Sequence, residues 1–219
     1  MNKSLAALAA VAMFTNTADA KISFGACPTT EYISDFEADR YSGKWFEVVR
    51  DRTNPYTIST DCVTKEFGAF NTEEKSMDLY FRGYYFVKLD YMGVNGTLYQ
   101  CDEGSSESFT CMATMGGGSH RSPIMIWNTD YENFDISYSC KNILDGKMKF
   151  ETFSVASRTP EISEENLEKV KAIVKENIPQ YDLDHSKGLY WTKQNNWCTY
   201  QWQFDNSTAP VDTVNKFLL

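Results

Sequence analysis

A chain of 219 residues, 42% of them hydrophobic, is long enough for one sizeable core and short for two. Its net charge of -9 lacks the electrostatic footprint that nucleic acid or an anionic membrane demands, which leaves small molecules and proteins as partners. Six cysteines without a Cys-x-x-Cys or His-x-x-x-His cluster argue for disulfides in an oxidising compartment and for no metal site.

The first stretch stands apart from that core. Lys3 supplies a basic start, Leu5 to Phe14 an apolar run, and Ala18-Asp19-Ala20 a small-x-small cleavage site. This predicts a signal peptide over residues 1–20, removed after Ala20. The run is too short to span a bilayer, and no other long apolar stretch exists, so no transmembrane segment is expected. The expected location is extracellular, or the lumen of the secretory pathway. Cleavage takes away Lys3 and Asp19 together, so the net charge stays at -9.

Residues 27–42 are polar and irregular, with a short helical turn expected near Asp39-Arg40. Strand patterns then succeed one another, read as 44–52, 60–70, 77–89, 94–101, 107–115, 123–129, 133–141 and 148–157. Turn signals separate them, among them Asn54-Pro55, Met92-Gly93, Asp102-Glu103-Gly104, Gly116-Gly117-Gly118 and Asp145-Gly146. Eight consecutive strands with short connections predict an up-and-down antiparallel barrel, whose closure removes exposed edges. The pattern switches after Thr159-Pro160. Ser163 reads as an N-cap before Glu164 and Glu165, and Leu167, Val170, Ile173, Val174 and Ile178 recur at helical spacing until Pro179. One amphipathic helix of about four turns is therefore expected outside the barrel. Gly188 to Cys198 offers a last short strand. The barrel domain is placed at 21–199, with 200–219 as a tail of unassigned role. Asn95-Gly96-Thr97 and Asn206-Ser207-Thr208 are glycosylation sequons, marking Asn95 and Asn206 as expected surface positions. Cys101 and Cys111 flank a polar turn and suit a local staple.

Three motifs fall at one end of such a barrel. Gly43-Lys44-Trp45 opens the first strand, Asn128-Thr129-Asp130-Tyr131-Glu132-Asn133-Phe134 joins the sixth and seventh, and Arg158 ends the eighth. A guanidinium there is suited to stack on the indole and to donate to backbone carbonyls. The order resembles the lipocalin family: Gly-x-Trp, Thr-Asp-Tyr, a later Arg, then a helix. Within it the chain is similar to the apolipoprotein D group, from about Cys27 to Cys198, including Cys27-Pro28 and Tyr138-Ser139-Cys140. The resemblance implies bridges Cys27–Cys140 and Cys62–Cys198, each closing a loop worth about 4–5 kcal/mol on the chain-entropy model. It also implies a fold role for Gly43, Trp45, Thr129, Asp130, Tyr131 and Arg158 rather than a role in ligand contact.

Ligand contacts are expected on inward positions and at the opposite mouth. If Trp45 points inward, period-two alternation brings Glu47 and Val49 with it. If Arg158 does, so do Ala156, Ser154, Thr152 and Phe150. Between Phe134/Ile136/Tyr138 and Asp135/Ser137/Ser139 the pattern leaves the inner face open. Glu47 inside a barrel requires either a polar ligand group or a neighbouring partner. Tyr56, Tyr91, Met92 and Met115 are candidates for an apolar rim, with Gly116-Gly117-Gly118 as a gating flap.

The leading expectation is a secreted carrier, without a cofactor, of a small hydrophobic ligand: a retinoid, bilin, steroid, fatty acid or carotenoid. An enzyme of lipocalin type, an isomerase or oxidoreductase, is the alternative. A thiol-dependent isomerase needs a free cysteine, and His120 and His185 lie in polar, loop-like sequence. No catalytic constellation is legible. A third expectation is a protein-interaction module that uses the mouth or the tail.

Overall fold

A computed structural model describes residues 22–29, 33, 35–54, 57–101, 110–119, 122–185 and 188–204. The leader, Tyr56, His120, Asn206 and most of the tail lie outside the described residues.

The strands in chain order are β1 (Ile22–Phe24), β2 (Gly43–Asp51), β3 (Thr60–Phe67), β4 (Ser76–Tyr85), β5 (Asp90–Tyr99), β6 (Cys111–Met115), β7 (Ser122–Ile124), β8 (Ile126–Thr129), β9 (Phe134–Ile143), β10 (Met148–Ser157) and β11 (Leu189–Trp191). A single helical turn, α1 (Ala38–Tyr41), precedes β2, and α2 (Glu164–Asn177) comes after β10. The sheet order is β7-β6-β5-β4-β3-β2-β10-β9-β8. Its two ends, β7 and β8, are successive pieces of one strand separated by Met125, so the sheet closes into an eight-stranded antiparallel barrel. β1 and β11 are additions, on β10 and β2 respectively.

The turn expected at Met92-Gly93 lies elsewhere. β4 ends at Tyr85 and β5 begins at Asp90, so residues 86–89 make the connection and Gly93 sits inside the strand. The glycine serves packing there: a Cβ at 93 would collide with the Tyr80 ring laid across it.

Three apolar clusters hold the structure. The first fills the barrel's base: Tyr41, Trp45, Phe67, Met77, Leu79, Leu98, Ala113, Ile126 and Ala156, all buried. The second lies outside, between α2 and the β9–β10 wall, where Val170, Val174 and Ile178 meet Phe134, Ile136, Tyr138, Phe153 and Val155. Ser163 caps α2 by accepting from the Asn166 amide at 3.3 Å. The third, also outside, covers β2–β4 with the segment after β11: Phe46 packs edge-on against Tyr200 and Trp202. The bridges are Cys27–Cys140, Cys62–Cys198 and Cys101–Cys111, which accounts for all six cysteines.

β2 carries the irregularity that matters most. Ala156 pairs with Glu47 and Val155 with Val49, so Val48 is an extra residue, a bulge. Beyond it β2 leaves β3, whose pairing ends at Phe46–Thr64, and takes β11 as its neighbour from Val49 to Asp51.

Candidate functional site

At the base, Gly43 adopts φ +100, a left-handed entry open to glycine, and delivers Trp45 into the core. The indole Nε1 donates to the Tyr41 carbonyl at 2.9 Å, and Tyr41 stacks on it with centroids 5.0 Å apart. The Arg158 guanidinium lies 3.7 Å from the Trp45 ring centroid. It donates to the carbonyls of Tyr131, Ser42, Lys44, Arg40 and Tyr41 at 2.8–3.3 Å. Burial lowers its pKa to about 10, against the opposing pull of Tyr41, Glu132 and Asp135. The turn beneath it is built by Asp130, whose Oδ1 accepts from the amides of Glu132, Asn133 and Phe134. Thr129 Oγ1 accepts from the Tyr131 amide and donates to the Phe134 carbonyl, which holds Tyr131 at φ +66.

Above this floor, register assigns the inner face, because directly paired residues share a side. Ala156 is in the base cluster, so Ser154, Thr152 and Phe150 face inward with it. Their partners on β9 are Ser137, Ser139 and Lys141, and Asp135 pairs with Ala156. The alternative set, Phe134, Ile136 and Tyr138, lies under α2. On the other wall, Leu79 and Met77 are in the base cluster, and Phe81 continues their row. Phe81 pairs with Val94, and Gly96 with Leu79 and Met115. One wall is thus hydroxyl-rich, with Ser139 and Thr152 hydroxyls 2.7 Å apart, and the other is apolar.

Glu47 and Arg50 also face inward, opposite Ala156 and Ser154. Both are buried and paired at 2.7 Å. Thr192 Oγ1 donates to Glu47, and Arg50 also donates to the carbonyls of Thr57 and Thr60. Glu47 therefore has a protein partner. Lys65 on β3 is opposite Trp45 and Phe81, which places it on the inner face. Asp135, across the lumen, is fully buried; burial raises its pKa, and Lys65 is the largest influence in the other direction.

Two of the expected contact residues lie elsewhere. Val49 belongs to the outer cluster beneath α2, because the bulge at Val48 breaks the alternation counted from Trp45. Tyr91 lies on the outer wall against Tyr84; its hydroxyl accepts from the Thr199 amide at 2.6 Å and its ring carries Arg82 at 4.0 Å. It clamps the segment after β11. Met92 and Met115 are exposed on the inner row near the open end. Lys65, Ser137, Ser139 and Phe81 join the inner surface without being among the expected contacts. The apolar stripe of α2 is the available signal for β9, since it requires the apolar set of that strand on the outside. His185 is exposed, with Nδ1 2.7 Å from Asp182.

The tail's first residues are held by Glu66, which accepts from the amides of Gln203 and Phe204. They border an outer cleft of about 270 Å³ lined by Asp78, Asn95, Thr97 and Thr114. Asn95 is exposed there.

An up-and-down barrel, plugged at one end by an indole under a guanidinium and flanked by one helix, defines the lipocalin class of fold. The model of the lipocalin / cytosolic fatty-acid binding protein family matches residues 42–193, and the chain belongs to that family. It is 26% identical over 136 residues to the bilin-binding protein of Pieris brassicae, across 62% of this chain and 68% of that protein. Insecticyanin from the tobacco hornworm Manduca sexta shares the fold at a TM-score of 0.64 and 16% identity, over 84% of this chain and 93% of its own. Lobster apocrustacyanin A1 does so at 0.60 and 20% identity, over 80% and 94%.

Proposed function

We propose that this protein is a secreted, non-enzymatic carrier that buries a small hydrophobic molecule in the upper half of the barrel. The observation that carries this is the division of the inner wall. Phe81, Val94, Gly96 and Met115 offer apolar and thin surface on one side, while Ser137, Ser139, Thr152 and Ser154 offer hydroxyls on the other. Apolar ligand surface entering such a cup gains roughly 25 cal/mol per Å². The hydroxyls orient a polar edge. Among the retinoid, bilin, steroid, fatty acid and carotenoid classes, a bilin has the added support of the Pieris relative's name. A thiol-dependent isomerase is disfavoured because all six cysteines are bonded. Secretion is supported by the leader and by the three disulfides. Kinship with the apolipoprotein D group is part of the same proposal, resting on Cys27-Pro28 and Tyr138-Ser139-Cys140.

The test is native mass spectrometry and absorption spectroscopy on protein secreted by its native source, then titration of stripped protein with biliverdin, retinol and a fatty acid. A bound lipophile, or saturable quenching of tryptophan emission, is the expected result. A preparation that carries nothing and binds none of the three would defeat the proposal.

A further inference from the structure

We propose that Lys65 is an anion anchor at the floor of the cup, and that the ligand is a lipophile bearing a carboxylate, held acid end down. The inference rests on the carrier reading and narrows its ligand class. Lys65 is placed inside by three observations. Its neighbours Thr64 and Glu66 serve the outer face, where Thr64 pairs with Phe46 and Glu66 holds the tail. Its direct partners, Trp45 and Phe81, lie on the inner face. Its charge reaches Asp135 on the opposite wall.

Of the other cations that register places on the inner face above the base, Lys141 is exposed near the open end and Arg50 is already committed. Arg50 is buried, pairs with Glu47, donates to two carbonyls and lies 4.6 Å from the Tyr190 ring centroid. Among the described residues no carboxylate comes within ion-pair distance of the Lys65 ammonium, and no side-chain hydrogen bond engages it. An ammonium half-buried beside an indole, with Asp135 in electrostatic reach but no carboxylate in contact, is an arrangement that a ligand carboxylate completes. The two walls suit the rest of such a molecule. Its apolar body lies along Phe81 and Val94, and the serines and threonines meet any further polar atoms.

Acid and ester pairs separate charge from shape. Biliverdin with its dimethyl ester, and cis-parinaric acid with its methyl ester, are titrated into the intact disulfide-bonded protein, its Lys65→Met variant and its Lys65→Arg variant. The wild type is expected to bind at least one acid about ten- to a hundredfold more tightly than its ester. Lys65→Met abolishes that preference while leaving ester affinity in place, and Lys65→Arg retains it. Equal binding of acid and ester by the wild type overturns the anchor and leaves the carrier standing. A preference that survives Lys65→Met overturns it too. If neither pair binds the wild type, the anchor falls, and the carrier falls with it only when retinol also fails to bind.

Discussion

Arg158 at the base donates to five backbone carbonyls; the ammonium of Lys65, on the same inner surface a short way up, donates to nothing among the described residues. Both are cations in the surroundings of Trp45, and they differ in how completely the protein satisfies them. The base is a closed network: indole, guanidinium, five carbonyls and the Asp130 turn supply one another's partners. The upper half holds two committed charges, Glu47 and Arg50, and a wall of small hydroxyls with spare capacity. A fully satisfied polar network rigidifies its surroundings, whereas an incomplete one invites a partner from outside. Stability should therefore concentrate at the base and ligand selectivity above it.

Arg158→Ala provides the hardest test of that division. It removes the roof over Trp45 and strips five carbonyls of a charged donor, so a loss of about 3 kcal/mol is expected in urea unfolding. A loss below about 1 kcal/mol would erase the contrast. Asp130→Ala comes next, at about 1–2 kcal/mol at neutral pH, since it frees three amides. The effect should depend on pH. Burial pushes the Asp130 pKa up, but the amides of Phe134, Asn133 and Glu132 and the Asn133 side chain outweigh it and hold it below the ordinary value. Its stabilising contribution is thus complete above the unfolded carboxylate range near ~3.9 and disappears as pH falls through the lower folded value. Wild type and variant should converge in acid. Thr152→Val is the smallest perturbation to stability, within about 1 kcal/mol, because its half-buried hydroxyl loses only Ser139. Ligand titration should register it more clearly than unfolding does.

The base is legible in the sequence because its parts sit in short, chemically distinctive runs: Gly43 before Trp45, Thr129 before Asp130 and Tyr131, Arg158 at a strand end. The helix is legible from its apolar spacing and its Ser163 cap. The upper half is harder to read. Counting alternation from Trp45 assigns Val49 to the lumen, but a one-residue bulge at Val48 has no sequence signature and reverses the side taken by the residues beyond it. Tyr91 departs from the expected rim for a related reason. β5 begins at Asp90, four residues earlier than its Gly93 turn signal implies, and the ring then falls on the outer wall. Lys65 reads as an ordinary strand lysine, since only pairing with Trp45 reveals its direction.

The slot that opens where β2 parts from β3 is filled by β11 and the residues after it, with Gln194 donating to the carbonyls of both Glu47 and Val63. During synthesis that filler arrives after every other strand of the barrel. Cys62 leaves the ribosome 136 residues ahead of Cys198, and Cys101, Cys111 and Cys140 all emerge before its true mate. The barrel wall accordingly stays unsealed until Cys198 has emerged, and a thiol near its seam is open to exchange with wrong partners throughout that interval.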